Sequence, residues 1–393
     1  MDNMPEEKKS NAAEEKIAMP HRGGGNRIIM AIIAAIIVVV LLVAIYATGA
    51  LSGGKTKTAV TLTGAGATFP MPLIQEWAKQ YYNVTKGEVR INYAGGGSGA
   101  GISQIKNKQV DFAGSDAPLK ANETSEFGLV HIPETLGAVV LTYNYPSLGG
   151  TLKLNGSVLA KIFLKNITAW NDPEIAALNP GLNLGSQTIL TAARSDSSGT
   201  TFVFSGYLKI ASSTWSQLKG QGKTISWPEG TVQLSGNAGV AGYVKTNSFS
   251  IGYVELTYAA SNQMTFAQMR NADDTAFVTP SLESTAAAAV AKASSLPAGD
   301  GDWSTVNILN QPGTNTYPIA SFTYILVYKE LYNDQTKMNK TAEKDLLKFV
   351  WWAVHDGGQQ YSESLSYPTL PASVVSLDEQ TLRSITYNGS PLL

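Results

Sequence analysis

Three short stretches of this sequence set small, hydroxyl-bearing residues between glycines just ahead of helical patterns. They are Gly64–Pro70 (GAGATFP), Gly95–Gly101 (GGGSGAG) and Arg194–Thr201 (RSDSSGTT). Each reads as a loop entering a helix N-terminus, where unpaired backbone N–H groups and the positive end of the helix dipole collect. One such terminus can hold an anion. Three of them, with a single arginine and no metal-ligand cluster, point to a protein that surrounds one small oxyanion. Hydroxyls and amides are donors of little bulk, so many can converge on four oxygens. Arginine adds a planar fork, and glycine lets the backbone come close.

The surrounding pattern alternates strands and helices. Strands are expected at 60–62, 89–93, 110–114 and 137–144, with helices at 71–82 and 100–107 between them. This β-α-β-α-β order predicts a largely parallel sheet. Ligands of such sheets bind beyond the carboxyl ends of the strands, where all three loops fall. Farther on, helices are expected at 157–164 and 202–210, with another starting at 237. Strands are expected at 189–192 and 251–254. An Ala-rich helical run covers 284–293, a strand 317–328 and an amphipathic helix 342–355, followed by a polar tail.

Composition narrows the function classes. The chain has 393 residues and a formal net charge of −1, so nothing global attracts nucleic acid. It contains no cysteine, which excludes disulfides and a lipid-modified cysteine anchor, and only three histidines. No metal site and no cofactor are expected. Residues 28–51 carry a charge-free apolar run of bilayer-spanning length, about 20 residues, and read as an uncleaved transmembrane signal anchor. A cleaved signal peptide is the rival, because small residues stand at 47–50. The stretch 49–56 (GALSGGKT) matches a P-loop pattern. It sits outside the strand-to-helix setting that motif needs, so it reads as a linker.

Several longer stretches carry a family likeness: TGAGATFP (63–70), YAGGGSGAG (93–101), VDFAGSDAPL (110–119), ITAWNDPEIAALNPGL (167–182), ARSDSSGTTFVFSGYL (193–208) and IGYVE (251–255). In these the chain resembles the PstS family, the phosphate-binding proteins of high-affinity phosphate ABC importers. The likeness runs from about residue 60 to the C-terminus. It implies an α/β, two-lobed, hinge-closing fold of the periplasmic-binding-protein type (type II), which here is expected to follow the one transmembrane helix read at 28–51. The expected division is a polar tail at 1–27, the anchor at 28–51, a linker at 52–58, lobe 1 from 59–141 plus 318–393, and lobe 2 from 142–317.

The resemblance also implies roles. Thr68 and Phe69 supply a hydroxyl and a backbone N–H to phosphate, and Ser98 its hydroxyl. Asp116 accepts a hydrogen bond from a protonated phosphate oxygen. Arg194 gives charge-assisted bonds and Asp196 orients it. Ser198, Gly199 and Thr200 give hydroxyl and amide donors. The implied partners are inorganic phosphate and the permease and ATPase subunits of an importer, with the binding domain on the outer face of the cell membrane. Two departures stand out. Ser197 occupies a position that is often glycine in relatives, and the anchor looks uncleaved, which fits a cell without a periplasm.

Plainer readings compete at single residues. A serine at a helix start is usually an N-cap, and Asp116 could cap a turn before Pro118. Trp170 reads as structural and His131 as a satisfied histidine. Ser198 could be a phosphatase nucleophile, but no histidine lies near it in sequence and G-x-S-x-G is absent. Another tetrahedral oxyanion (sulfate, molybdate or tungstate) is the main alternative ligand, and a purely structural surface domain a lesser one. Six N-x-[ST] sequons, at Asn83, Asn122, Asn155, Asn166, Asn339 and Asn388, fit an external, glycosylated domain or the abundance of Asn, Ser and Thr alone.

Overall fold

The Gly-rich turns work because long, nearly continuous apolar strands hold their two ends in place. The computed structural model describes residues 59–290, 292–332 and 339–393. The apolar run at 28–51 and the P-loop-like stretch lie outside those residues. Among the described residues no helix is long and apolar enough to cross a membrane.

The first half of the chain gives β1 (Val60–Gly66), α1 (Met71–Val84), β2 (Val89–Gly95), α2 (Ser98–Lys106), β3 (Phe112–Ser115), α3 (Ala121–Phe127) and β4 (Leu129–Asn144). It continues with β5 (Lys153–Leu154), α4 (Gly156–Phe163), α5 (Pro173–Leu178), β6 (Leu190–Arg194) and α6 (Gly199–Ala211). Next come α7 (Ser213–Leu218), β7 (Val232–Leu234), α8 (Gly236–Thr246), β8 (Ser250–Glu255), α9 (Leu256–Ser261) and the short strands β9 (Thr265–Phe266), β10 (Gln268–Arg270) and β11 (Phe277–Val278). The chain ends with α10 (Leu282–Val290), β12 (Ala320–Tyr328), α11 (Lys340–Val354), α12 (Asp356–Gln359), α13 (Ala372–Arg383) and the hairpin β13 (Thr386–Tyr387) and β14 (Ser390–Pro391).

One sheet runs β2-β1-β3-β12-β4-β8-β6-β7, with β9 added on β4. Strands β1, β2 and β3 are parallel, as are β6, β7 and β8. The expected largely parallel sheet holds only within these two halves. Strand β4 is antiparallel to β12 and to β8, and β12 is antiparallel to β3. The chain leaves the first half along β4 and returns along β12, so the two connecting strands must run in opposite directions.

Strand β4 changes neighbour along its length. Leu129–Ala138 pairs with β12, and Val139–Asn144 pairs with β8. All of β4 but its last residue is buried. That explains an apolar run without alternation: both faces are covered. Helix α1 starts beside Pro70 and Pro72, where a missing N–H costs nothing, and buries Leu73, Ile74, Trp77 and Tyr81. The polar C-terminal tail expected beyond 355 is instead structured. Val374, Asp378, Thr381 and Leu382 of α13 are buried, a sparse pattern in a polar helix that periodicity alone underweights.

Candidate functional site

Four strand-to-helix turns converge, three of them those singled out in the sequence. Thr68 and Phe69 lie between β1 and α1, Ser98 opens α2, and Ser198 caps α6 by accepting the Thr201 N–H at 3.0 Å. The fourth turn joins β7 to α8 and brings Asn237, which sequence reasoning placed only at a helix start. A signal for it existed: a short strand followed by Ser235-Gly236 and a helical pattern repeats the layout of the other three.

All the expected site residues come together. Thr68, Phe69, Ser98, Asp116, Arg194, Ser198 and Thr200 are buried, as is Gly199. Arg194 Nε donates to Asp196 Oδ1 at 2.8 Å, and Nη2 donates to Oδ2, a bidentate pair. Nη1 donates to Thr200 Oγ1 at 3.3 Å. Asp196 also accepts the Gly236 N–H at 3.0 Å. Burial acts to raise the Asp196 carboxyl, but the Arg194 guanidinium and that N–H outweigh it and hold it below its usual range. Asn237 ties the loops together. Its N–H and Nδ2 donate to Thr68 Oγ1 at 3.2 and 3.0 Å, and Nδ2 also reaches Thr200 Oγ1 at 3.2 Å.

The four hydroxyls share a feature. Thr68 Oγ1 and Thr200 Oγ1 accept from Asn237, Ser98 Oγ accepts the Asp116 N–H at 3.1 Å, and Ser198 Oγ accepts from Thr201. Each is spent as an acceptor, which leaves its own proton to be donated. Against these donors stands one carboxyl. Asp116 is 2% exposed, its Oδ1 accepts from Thr323 Oγ1 at 3.1 Å, and its buried Oδ2 has no partner among the described residues. Burial pushes Asp116 up to about 7, opposed by the Thr323 bond and the nearby Arg194 charge.

The two sides touch across the cleft. Gly99 N–H donates to Ser197 O at 2.9 Å, and Tyr258 Oη donates to Thr68 O at 2.6 Å. A Cβ on Gly199 would stand 2.2 Å from Ser98 Oγ and 2.3 Å from Asp116 Oδ2. Gly97, at φ 89°, would meet Asp196 Oδ2 at 2.4 Å. No side chain fits at either position.

Other polar groups back the site, and sequence reasoning missed them: Glu134, Thr323, Glu255 and Tyr367. Tyr367 Oη donates to Phe69 O at 2.6 Å, and Glu255 Oε2 accepts the Thr257 N–H at 2.9 Å. These residues reach the site from distant parts of the chain; only Glu255 falls in a stretch singled out in the sequence, IGYVE (251–255), and none had been given a role. His131 is buried, with Nε2 accepting from Leu119 N at 3.0 Å, but its Nδ1 has no partner among the described residues. The expectation of a satisfied histidine is therefore half right. Burial holds it down at about 4, a neutral ring. His355 bonds Trp351 O and Glu379. Neither histidine is bonded to Ser198, which is engaged as a cap. Trp170 is fully buried and bonds Phe249 O, a structural role as expected. Among the described residues no cluster of three or more His, Asp or Glu could hold a metal ion.

A family model described as the PBP superfamily domain matches residues 52–354. Proteins named phosphate-binding protein PstS are similar over most of the chain. That of Pasteurella multocida is 40% identical over 321 residues, 81% of this chain and 89% of its own length. That of Haemophilus influenzae is 41% identical over 317 residues, 80% and 90%. That of Methanocaldococcus jannaschii is 33% identical over 354 residues, 85% and 90%. Among solved structures, a high-affinity periplasmic phosphate-binding protein bound with phosphate has a TM-score of 0.61 at 22% identity, covering 81% of this chain and 92% of its own. A phosphate-binding protein from Stenotrophomonas maltophilia has a TM-score of 0.60 at 19% identity, covering 81% and 92%. These two speak to the fold.

Proposed function

The chain belongs to the PstS family of phosphate-binding proteins, and from that premise we propose that it captures inorganic phosphate in the cleft and delivers it to an ABC-type permease. The observation that carries this reading is the balance of the cleft. Four hydroxyls with protons to give and one guanidinium stand against the Asp116 carboxyl, whose buried Oδ2 has no donor among the described residues. A tetrahedral oxyanion that still bears a proton satisfies both kinds of group at once.

In this reading Arg194 supplies the positive charge and Asp196 holds its fork in place. Thr68, Ser98, Ser198 and Thr200 donate hydroxyl protons, and Phe69 and Gly199 donate backbone N–H groups. Asn237 joins them by positioning Thr68 and Thr200. Asp116 accepts a hydrogen bond from the O–H that phosphate carries near neutral pH. Sulfate has none to give, and its oxygen would face the carboxylate with like charge and no bond. A polar site whose buried group loses its partner can discriminate by about 10⁴–10⁵.

Residues 59–141 plus 318–393 form one lobe in this reading and 142–317 the other, hinged along β4 and β12. The domain works on the outer face of the cell, held by the apolar run at 28–51 as a single-pass anchor. N-terminal sequencing of the mature protein that began after residue 47 or 50 would remove the anchor from this account.

Calorimetric titration of the full chain with phosphate and with sulfate tests the function. Phosphate should bind with a preference of several decades, and Asp116→Asn should erase most of that preference, because an amide can donate to sulfate. An unchanged phosphate-to-sulfate ratio in that variant rejects Asp116 as the proton acceptor. Small-angle scattering should contract on addition of phosphate; an unchanged radius at saturation rejects the hinge.

A further inference from the structure

Behind Asp116 lies a polar group that capture of phosphate does not itself use. The β12–β4 ladder slips by one residue: Thr323 lies opposite Thr135, and Tyr324 opposite Pro133. Glu134 is the residue left over in that bulge. Bulges re-aim a side chain that regular pleating would send elsewhere. Glu134 is completely buried, with Oε1 3.2 Å from Thr323 Oγ1 and Oε2 without a partner among the described residues. The same Thr323 oxygen lies 3.1 Å from Asp116 Oδ1.

A threonine hydroxyl has one proton and can give it to one carboxyl oxygen at a time. If both carboxyls were ionised, one of them would face Thr323 Oγ1 lone pair to lone pair in a water-excluded core. An unpaired buried charge of that kind is strongly disfavoured. One carboxyl must therefore bring its own proton. Arg194 acts on Asp116 and favours its charged form, whereas the charge acting on Glu134 is that of Asp116, which disfavours it. The proton belongs on Glu134.

We infer that Glu134 and Thr323 form a proton-holding relay that fixes Asp116 as an acceptor. Neutral Glu134 donates from Oε1 to Thr323 Oγ1, and Thr323 donates to Asp116 Oδ1. Asp116 Oδ2, beside Gly199, is then left to accept a hydrogen bond from the ligand. This inference rests on the phosphate reading and supplies what it needs, a buried carboxyl kept ionised. Glu134 and Thr323 are positioning residues.

The electrostatic surroundings agree. Burial raises both carboxyls, and the Asp116 charge adds to the rise at Glu134 while the Arg194 charge opposes it at Asp116. Among the neighbours, Arg194 lowers Asp116 and Asp196 raises it. Glu255, Tyr93, Tyr258 and Tyr324 also face Asp116, and burial favours the neutral form of all four.

Infrared spectra of the ligand-free full chain at neutral pH test the relay. Wild type minus Glu134→Gln should show the C=O band of a protonated carboxyl; a carboxylate band in its place overturns the inference. The pH midpoint of Asp116, followed as the carboxyl band absent from Asp116→Asn, should rise by about one unit in Thr323→Val. Thr323→Ser should restore it. A midpoint that does not move in Thr323→Val also overturns the relay. Should that variant misfold, the Glu134→Gln spectrum still decides. Phosphate titration of the same wild-type preparation separates the two claims. Failure to bind phosphate rejects the functional reading, while the spectra still report where the proton sits.

Discussion

On the Arg194 wall of the cleft the charges are matched: the guanidinium forks onto Asp196, reaches Thr200, and Asp196 takes the Gly236 N–H as well. On the Asp116 wall the groups are left wanting. Asp116 and Glu134 are buried carboxyls, each with one oxygen that has no partner among the described residues. The first wall is pre-organised and needs no ligand to be stable in place. The second carries unsatisfied polar atoms in low dielectric, a cost tolerated where function uses it. The difference separates affinity from selectivity: charge and donors on one side, a test for a proton on the other.

The comparison breaks most visibly at Arg194. Arg194→Ala should weaken phosphate and sulfate alike by about a hundredfold to a few thousandfold, since removing one partner of a buried pair costs about 3–5 kcal/mol. Calorimetry checks this, and a loss confined to one anion would mean that charge is not the role of this wall. Gly199→Ala should come next. Its Cβ would strike Ser98 Oγ and Asp116 Oδ2, and overpacking of about 1–3 kcal/mol should cost about 10–100-fold in affinity. Stopped-flow binding should show faster release; wild-type kinetics would mean that the walls do not meet as described.

The Asp116 wall should also reveal itself without ligand. Glu134 and Asp116 have folded-state values above their unfolded ones, raised by burial. Their contribution to stability is therefore full below about pH 4 and lost as pH rises through about 7 to 8. Thermal unfolding of the ligand-free protein should show wild type losing a few kcal/mol more than Glu134→Gln between pH 5 and 9. Parallel curves would show that Glu134 carries no such cost. The smallest effect belongs to Asn237→Ala. Loss of its bonds to Thr68 and Thr200 should lower stability by about 1 kcal/mol and phosphate affinity several-fold. Melting temperature and calorimetry measure both, and a loss as large as that of Arg194→Ala would make Asn237 a ligand-binding group instead of a support.

Much of the site was legible because its chemistry is local. A glycine-flanked hydroxyl ahead of a helix announces itself within seven residues, and Thr68, Ser98 and Ser198 each do so. Arg194 and Asp196 are two positions apart, so their pairing could be suspected from the strand before them. Asn237 was half visible, through the fourth strand-to-helix turn. Glu255 closed the IGYVE stretch but carried no assigned role, and Thr323, Glu134 and Tyr367 were not visible at all. Their partners lie more than a hundred residues away in sequence, as with Thr323 and Glu134 or Tyr367 and Glu255, and a lone buried glutamate has no periodic signature.

By itself, then, the sequence determined the anion-seeking loops, the β-α alternation that sets them on one edge of a sheet, and the family. Those depend on short-range properties: backbone freedom at glycine, hydroxyl donors at helix starts, and the period of apolar residues. Only the tertiary structure decided that β4 runs through both halves, antiparallel to β12 in the first and to β8 in the second, and that the tail past 355 packs as helix. It alone placed a bulge that turns Glu134 toward Thr323 and Asp116. Register and bulges are settled by which strands meet, and burial then decides which carboxyls hold their protons.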